Sequence, residues 1–169
     1  MSRHAVNTLL SVIDGLAFAG ESRSVSGRVA IADLARLGDA LTTTDGSLEC
    51  RVDGECDGDG KLWLNLGVSG QLDLRCQRCL ATLVFPLDVE SRLLLVPSGQ
   101  PWPDEELTED GFDAIPAEKE MELLPLIEEE VLLALPIAPR HEACEAPVPV
   151  AEELESSPFA VLAQLKKGV

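Results

Sequence analysis

Apolar and polar residues alternate through most of the first hundred positions, the period of a strand with one buried face. Val25, Gly27, Val29 and Ile31 suggest a short strand, and Leu48, Cys50 and Val52 alternate with Glu49, Arg51 and Asp53. Leu62, Leu64, Leu66 and Val68 form a third series, continued by Leu72, Leu74 and Cys76 after a break at Ser69-Gly70. The longest series is Leu83, Phe85, Leu87, Val89, Ser91, Leu93 and Leu95, with Pro86 on the opposite face marking an edge or a bulge. Between the first strands, Asp33-Leu34-Ala35-Arg36-Leu37-Gly38 reads as one or two helical turns closed by glycine. Residues 5–19 are apolar without a clean period and predict no firm element.

Two segments need a choice. Asp53-Gly54-Glu55-Cys56-Asp57-Gly58-Asp59-Gly60 resembles the start of a calcium loop. Its twelfth position is Leu64 rather than a bidentate carboxylate and its flanks are strands, so it reads as a hairpin loop. After the breaker Pro97-Ser98-Gly99-Gln100-Pro101-Trp102-Pro103 the period turns helical over residues 118–135. Leu123, Leu124, Ile127, Val131, Ala134 and Leu135 share one face, with Glu128, Glu129 and Glu130 largely away from it. Pro125 fits a helix that starts near Leu124, where its missing N–H costs nothing, and Pro136 and Pro139 end it.

Sheet first and helix after predict an α+β fold: an antiparallel, twisted or partly closed β-sheet with one main amphipathic helix and a short C-terminal helix. The expected organisation is a single α+β domain over residues 1–144, β-rich over 20–96 with an acidic loop and helix over 97–140. An acidic flexible linker over 145–157 and a helical tail over 158–169 complete it. In the tail, Ser157 is the cap and Pro158 opens the helix, Phe159, Leu162 and Leu165 form a stripe, and lysines close the last turn.

Charge changes the picture because it is unevenly placed. The formal net charge is −17, yet residues 101–155 carry 17 acidic side chains against Lys119 and Arg140, a local −15. A field of this sign repels phosphate backbones and anionic lipid, and favours a basic protein partner. Solubility is the plainer reading of any single acidic run. The candidate partner-binding acids are Glu128, Glu129 and Glu130 with Asp104, Glu105, Glu106, Asp110 and Asp113. Leu9-Leu10-Ser11-Val12-Ile13 faintly mimics a signal peptide, but Asp14 interrupts it and Arg3 is the one lysine or arginine in the first 22 residues. With no apolar run of about 20 residues, the expectation is a cytoplasmic chain with no membrane partner.

Five cysteines (Cys50, Cys56, Cys76, Cys79 and Cys144) argue by their odd number against a disulfide framework. Cys76-Gln77-Arg78-Cys79 is a C-x-x-C, whose thiols meet one ion only if the chain turns there. His141-Glu142-Ala143-Cys144 supplies an H-x-x-C after the helix. Together they offer Cys76, Cys79, His141 and Cys144 as a tetrahedral set for one structural zinc. Free or buried thiols and redox chemistry are the alternatives. Cys50 and Cys56, in a strand and its turn, read as small hydrophobes. Arg75, Arg78 and Arg92 flank the C-x-x-C region as a possible RNA-contacting patch, though few aromatics are available for base stacking. No catalytic constellation assembles, and neither an enzyme nor a small-molecule substrate is expected.

Three segments in this order resemble one family. They are Gly70-Gln71-Leu72-Asp73-Leu74-Arg75-Cys76-Gln77-Arg78-Cys79-Leu80, the helix with its exit from Glu122 to His141, and the tail from Ser157 to Lys166. The chain is similar in them to the YceD-like large ribosomal RNA subunit accumulation proteins, with residues 1–45 and 97–117 matching loosely. The resemblance implies a non-enzymatic role in 23S ribosomal RNA accumulation and large-subunit biogenesis. Some relatives carry a second cysteine cluster after the helix that would complete a four-cysteine zinc site, where this chain has His141 and Cys144. Joined to the charge, the resemblance makes a basic ribosomal protein or a pre-50S particle the expected partner. Direct RNA binding through the arginines beside a zinc knuckle is the alternative.

Overall fold

The computed structural model describes residues 12–102 and 112–147. Four strands follow the alternation: β2 (Ser24–Ala30), β3 (Ser47–Cys56), β4 (Leu62–Arg75) and β5 (Thr82–Val96). Each pairs antiparallel with the next, and a fifth strand, β6 (Asp113–Pro116), joins β5 in parallel to complete the order β2-β3-β4-β5-β6. The sheet is therefore mixed rather than purely antiparallel, within an α+β fold. A two-stranded pair, β1 (Val12–Ile13) with β7 (Met121–Glu122), lies apart from it. Helix α1 (Gly15–Gly20) follows β1, and helix α2 (Leu123–Ala134) follows β7.

One face of the sheet carries the core. Val29, Leu48, Val52, Leu64, Leu66, Leu72, Leu74 and Leu93 are buried there. They are covered by Phe18 and Ala19 of α1, by Ile31, Leu34, Leu37 and Leu41, and by Leu123, Ile127 and Val131 of α2. On the other face Trp63, Leu94, Val96 and Phe112 form a smaller cluster. There Phe112 meets Trp63 edge-on at 4.9 Å and Arg92 stacks over Trp63 at 4.1 Å.

Several local expectations change. Residues 15–20, given no element above, form α1 because Asp14 caps it, accepting the Ala17 N–H at 3.0 Å. The turns after β2 are 3₁₀ rather than α-helical, at Ile31–Asp33 and Ala35–Ala40, and Gly38 lies inside the second without a positive φ. The hairpin loop is shorter than expected: β3 runs through Gly54 to Cys56, and Asp57 builds the turn by accepting the Asp59 and Lys61 amides. Gly54 serves a close approach instead of a turn, since a Cβ there would sit 2.5 Å from the Phe18 carbonyl oxygen.

Ser69-Gly70 does not break its strand either. The register continues through Gly70, at an inward position where Leu48 already fills the space a Cβ would take. Pro86 does lie at an edge, because β6 pairs only with Leu93–Val96 of β5. Helix α2 starts at Leu123, which puts Pro125 in its third position, still among the amides that have no intrahelical partner. Asp104, Glu105, Glu106 and Asp110, most of the linker and the tail over 158–169 lie outside the described residues. Among the described residues no helix is long and apolar enough to cross a membrane.

Candidate metal centre

The long β4–β5 hairpin ends at the C-x-x-C. Cys76 closes the ladder by donating its amide to the Ala81 carbonyl at 2.9 Å, and Leu80 donates back to the Cys76 carbonyl at 3.0 Å. Between them Leu80 sits in the left-handed region at φ 63°, a conformation costing a side chain about 1–2 kcal/mol. That tight turn brings the thiols of Cys76 and Cys79 to one side, as an extended strand could not.

The second half arrives from the far end of α2. Pro136 lies just past the helix, and the returning chain docks on the hairpin tip where the Pro139 carbonyl accepts the Gln77 amide at 2.8 Å. Arg78 then clamps both halves. Its Nη2 donates to the His141 carbonyl at 2.7 Å and its Nε to Cys144 Sγ at 3.0 Å.

The result is a four-donor cluster. The side-chain donor atoms of Cys76, Cys79, His141 and Cys144 all lie within 4.8 Å of one another. Cys76 Sγ and Cys144 Sγ are 3.8 Å apart, and Cys79 Sγ is 3.3 Å from His141 Nδ1. The other ring nitrogen, Nε2, lies 3.0 Å from the Thr82 carbonyl, which can only accept. In the neutral ring Nε2 therefore carries the hydrogen, and the Nδ1 lone pair faces the thiols.

The thiols are electrostatically unequal. The Cys79 amide, assisted by those of Arg78 and His141, outweighs burial and brings the Cys76 thiol down to about 5. At Cys79 the Ala81 amide favours the thiolate, but burial and the Cys76 and Cys144 sulfurs outweigh it and raise that thiol. Burial is the largest single effect at Cys144 and opposes its ionisation, but Arg78, Cys79 and His141 together override it, so this thiol is lowered. Cys144 and then Cys76 raise His141. Three sulfurs competing to hold negative charge around one point are what a bound cation relieves.

The remaining candidates divide. Arg78 is spent on the clamp, and Arg92 stacks on Trp63 with its Nη2 3.4 Å from Glu55. Arg75 pairs in register with Thr82, ten strand positions from Arg92, so the two lie roughly 30 Å apart. The three arginines make no common patch.

The glutamate run also differs from expectation. Glu128 and Glu130 are buried, at 8% and 7% exposure. Glu128 accepts the Arg36 amide at 2.7 Å, and Glu130 accepts the Ser91 hydroxyl. Glu129 pairs with the Arg36 guanidinium at 2.5 Å. A three-residue acidic run on a helix covers most of a turn, so its ends reach the packed face while its centre stays outside. Asp113 is exposed on β6.

Sequence reasoning missed Thr82, Pro139 and the clamping role of Arg78. The first two act through carbonyls and leave no residue-type signal. An arginine between two paired cysteines was the available hint for the third.

The family model described as large ribosomal RNA subunit accumulation protein YceD matches residues 64–166, from within β4 through all four donor residues. No solved structure matches the chain.

Proposed function

The chain belongs to the YceD family of large ribosomal RNA subunit accumulation proteins, and from that premise we propose that it is a non-enzymatic factor in large-subunit assembly. It supports 23S ribosomal RNA accumulation by binding a basic ribosomal protein, free or on a pre-50S particle, through its acidic C-terminal half. The observation carrying this reading is the segregation of charge: a local −15 over residues 101–155 in a family named for ribosomal RNA. A segment of this charge attracts lysine- and arginine-rich chains and repels the RNA they later bind.

In this reading Cys76, Cys79, His141 and Cys144 hold one structural zinc. With zinc–sulfur distances near 2.3 Å, a tetrahedral site has sulfur–sulfur edges of about 3.8 Å, the separation of Cys76 and Cys144. The Nε2–H to Thr82 contact fixes the ring for ligation through Nδ1. Bound there, zinc would tie the hairpin tip to the segment after α2. Four protein ligands complete its coordination and leave no position for a substrate, which supports a structural role.

Binding of the full chain to purified large-subunit ribosomal proteins, at low and at about 0.5 M salt, tests the function. Retention of a basic protein that high salt abolishes is expected. Absent or salt-insensitive binding overturns the electrostatic mechanism.

A further inference from the structure

Away from the cysteines, a groove of about 720 Å³ opens between β6, β7 and the first turns of α2. Its apolar lining includes Ile115 and Leu126, both half-buried, and the buried Met121. Glu118, Glu120, Glu122 and Glu129 stand around it against one guanidinium, that of Arg36. The first three are exposed, and the Glu122 side chain makes no capping bond to α2. Here carboxylates stand beside an apolar floor instead of fanning into solvent.

We propose that this groove is the docking site for an extended, lysine- or arginine-rich segment of a partner protein that inserts an apolar side chain between its basic ones. The inference rests on the proposed function and locates its surface: not Glu128 and Glu130, which the fold consumes, but the acids of the β6–β7 connection and the start of α2. Charge complementarity selects the occupant. Three exposed carboxylates, beside a fourth already paired with Arg36, repel phosphate and anionic lipid and recruit ammonium or guanidinium groups. The chain already shows the contact, with the Arg36 guanidinium on Glu129 at 2.5 Å. The apolar floor gives the segment a reason to bind there rather than at any other cluster of acids. Ile115 and Pro116 of β6, the last strand of the sheet, also line the groove and offer an extended segment a parallel wall.

The test measures fluorescence anisotropy of the full chain with two labelled synthetic peptides. One is lysine-rich and carries two leucines, and the other has serine in place of both. The double variant Glu118→Lys, Glu122→Lys is compared with Asp88→Lys, Glu90→Lys, an equal charge change at exposed residues of β5 that do not line the groove. Thermal melts establish that each variant is folded. The leucine peptide is expected to bind more tightly than the serine peptide. The groove variant should weaken it at least about tenfold, and the control by about twofold through the general field.

Equal weakening by both variants, or equal affinity for both peptides, overturns the groove while leaving the electrostatic function standing. No binding of either peptide to any form removes both. Binding that appears only after residues 158–169 are deleted also overturns the proposal, because the occupant is then the chain's own tail with Phe159, Leu162, Leu165 and its lysines.

Discussion

With zinc held by the cysteine–histidine cluster as proposed, its removal should destabilise the whole domain, by an amount set by the chain it ties together. Cys79 and His141 are 62 residues apart in sequence. A cross-link closing a loop of that length removes about 4 kcal/mol of conformational freedom from the unfolded state at 25 °C. For a domain of roughly 130 residues the unfolding entropy is about 0.27 kcal/mol per kelvin, so the loss corresponds to about 15 °C in melting temperature. Scanning calorimetry with and without a strong chelator, paired with metal analysis of both samples, measures it. Cys144→Ser should reproduce most of the fall. Cys56→Ser, at an exposed thiol outside the cluster, should leave the melt within about 2 °C. A protein that purifies with no zinc refutes the assignment of the site. A protein that loses an equivalent of zinc yet melts within about 3 °C of the loaded form refutes the staple argument.

Adjacent glutamates should behave differently: Glu128→Ala strands the Arg36 amide and should cost about 1–3 kcal/mol in urea unfolding, whereas Glu129→Ala breaks a half-exposed pair and should cost under about 1 kcal/mol. Two glycines should also separate. Gly54→Ala drives a methyl into the α1 backbone and should cost at least about 2 kcal/mol, while Gly38→Ala, with open space and no positive φ, should be neutral or slightly stabilising. Asp57 is held below its ordinary value of 3.8, first by the Trp63 indole N–H and then by the Lys61 and Asp59 amides. Because the folded value is the lower one, its stabilisation is full above pH 3.8 and is lost as the pH falls through the folded value. Trp63 fluorescence should report a transition below pH 3.8 that Asp57→Asn removes.

How far each feature could be read from the sequence depended on whether its cause is local. Alternation in β3, β4 and β5 is enforced by one buried face, so the inward residues were legible one by one from Leu48 to Leu95. The four clustered donors were legible because cysteine and histidine carry their chemistry in their identity, and their convergence needed only a turn at Leu80 and a helix ended by Pro136. What failed was everything set by a distant neighbour. Gly54 and Gly70 look like turn residues until α1 and Leu48 occupy the space beside them. Glu128 looks solvated until the 3₁₀ turn at Arg36 presents an unpartnered amide.

Helix α2 ties these observations to the family match. Its exit carries the His141–Cys144 half of the cluster, and its first turns wall the groove. Both features fall within the matched residues 64–166, except that Val12 and Arg36 complete the groove from outside them. Arg36 is also the residue whose amide and guanidinium hold Glu128 and Glu129. The helix is thus flanked by contacts of two kinds: the four-donor cluster contained in the matched region, and a polar anchor from the N-terminal 3₁₀ turn. Losing the first should release the segment after α2 and the hairpin tip together. Losing the second should loosen the groove wall while leaving the four donor atoms in place, so the two perturbations are separable in a single protein.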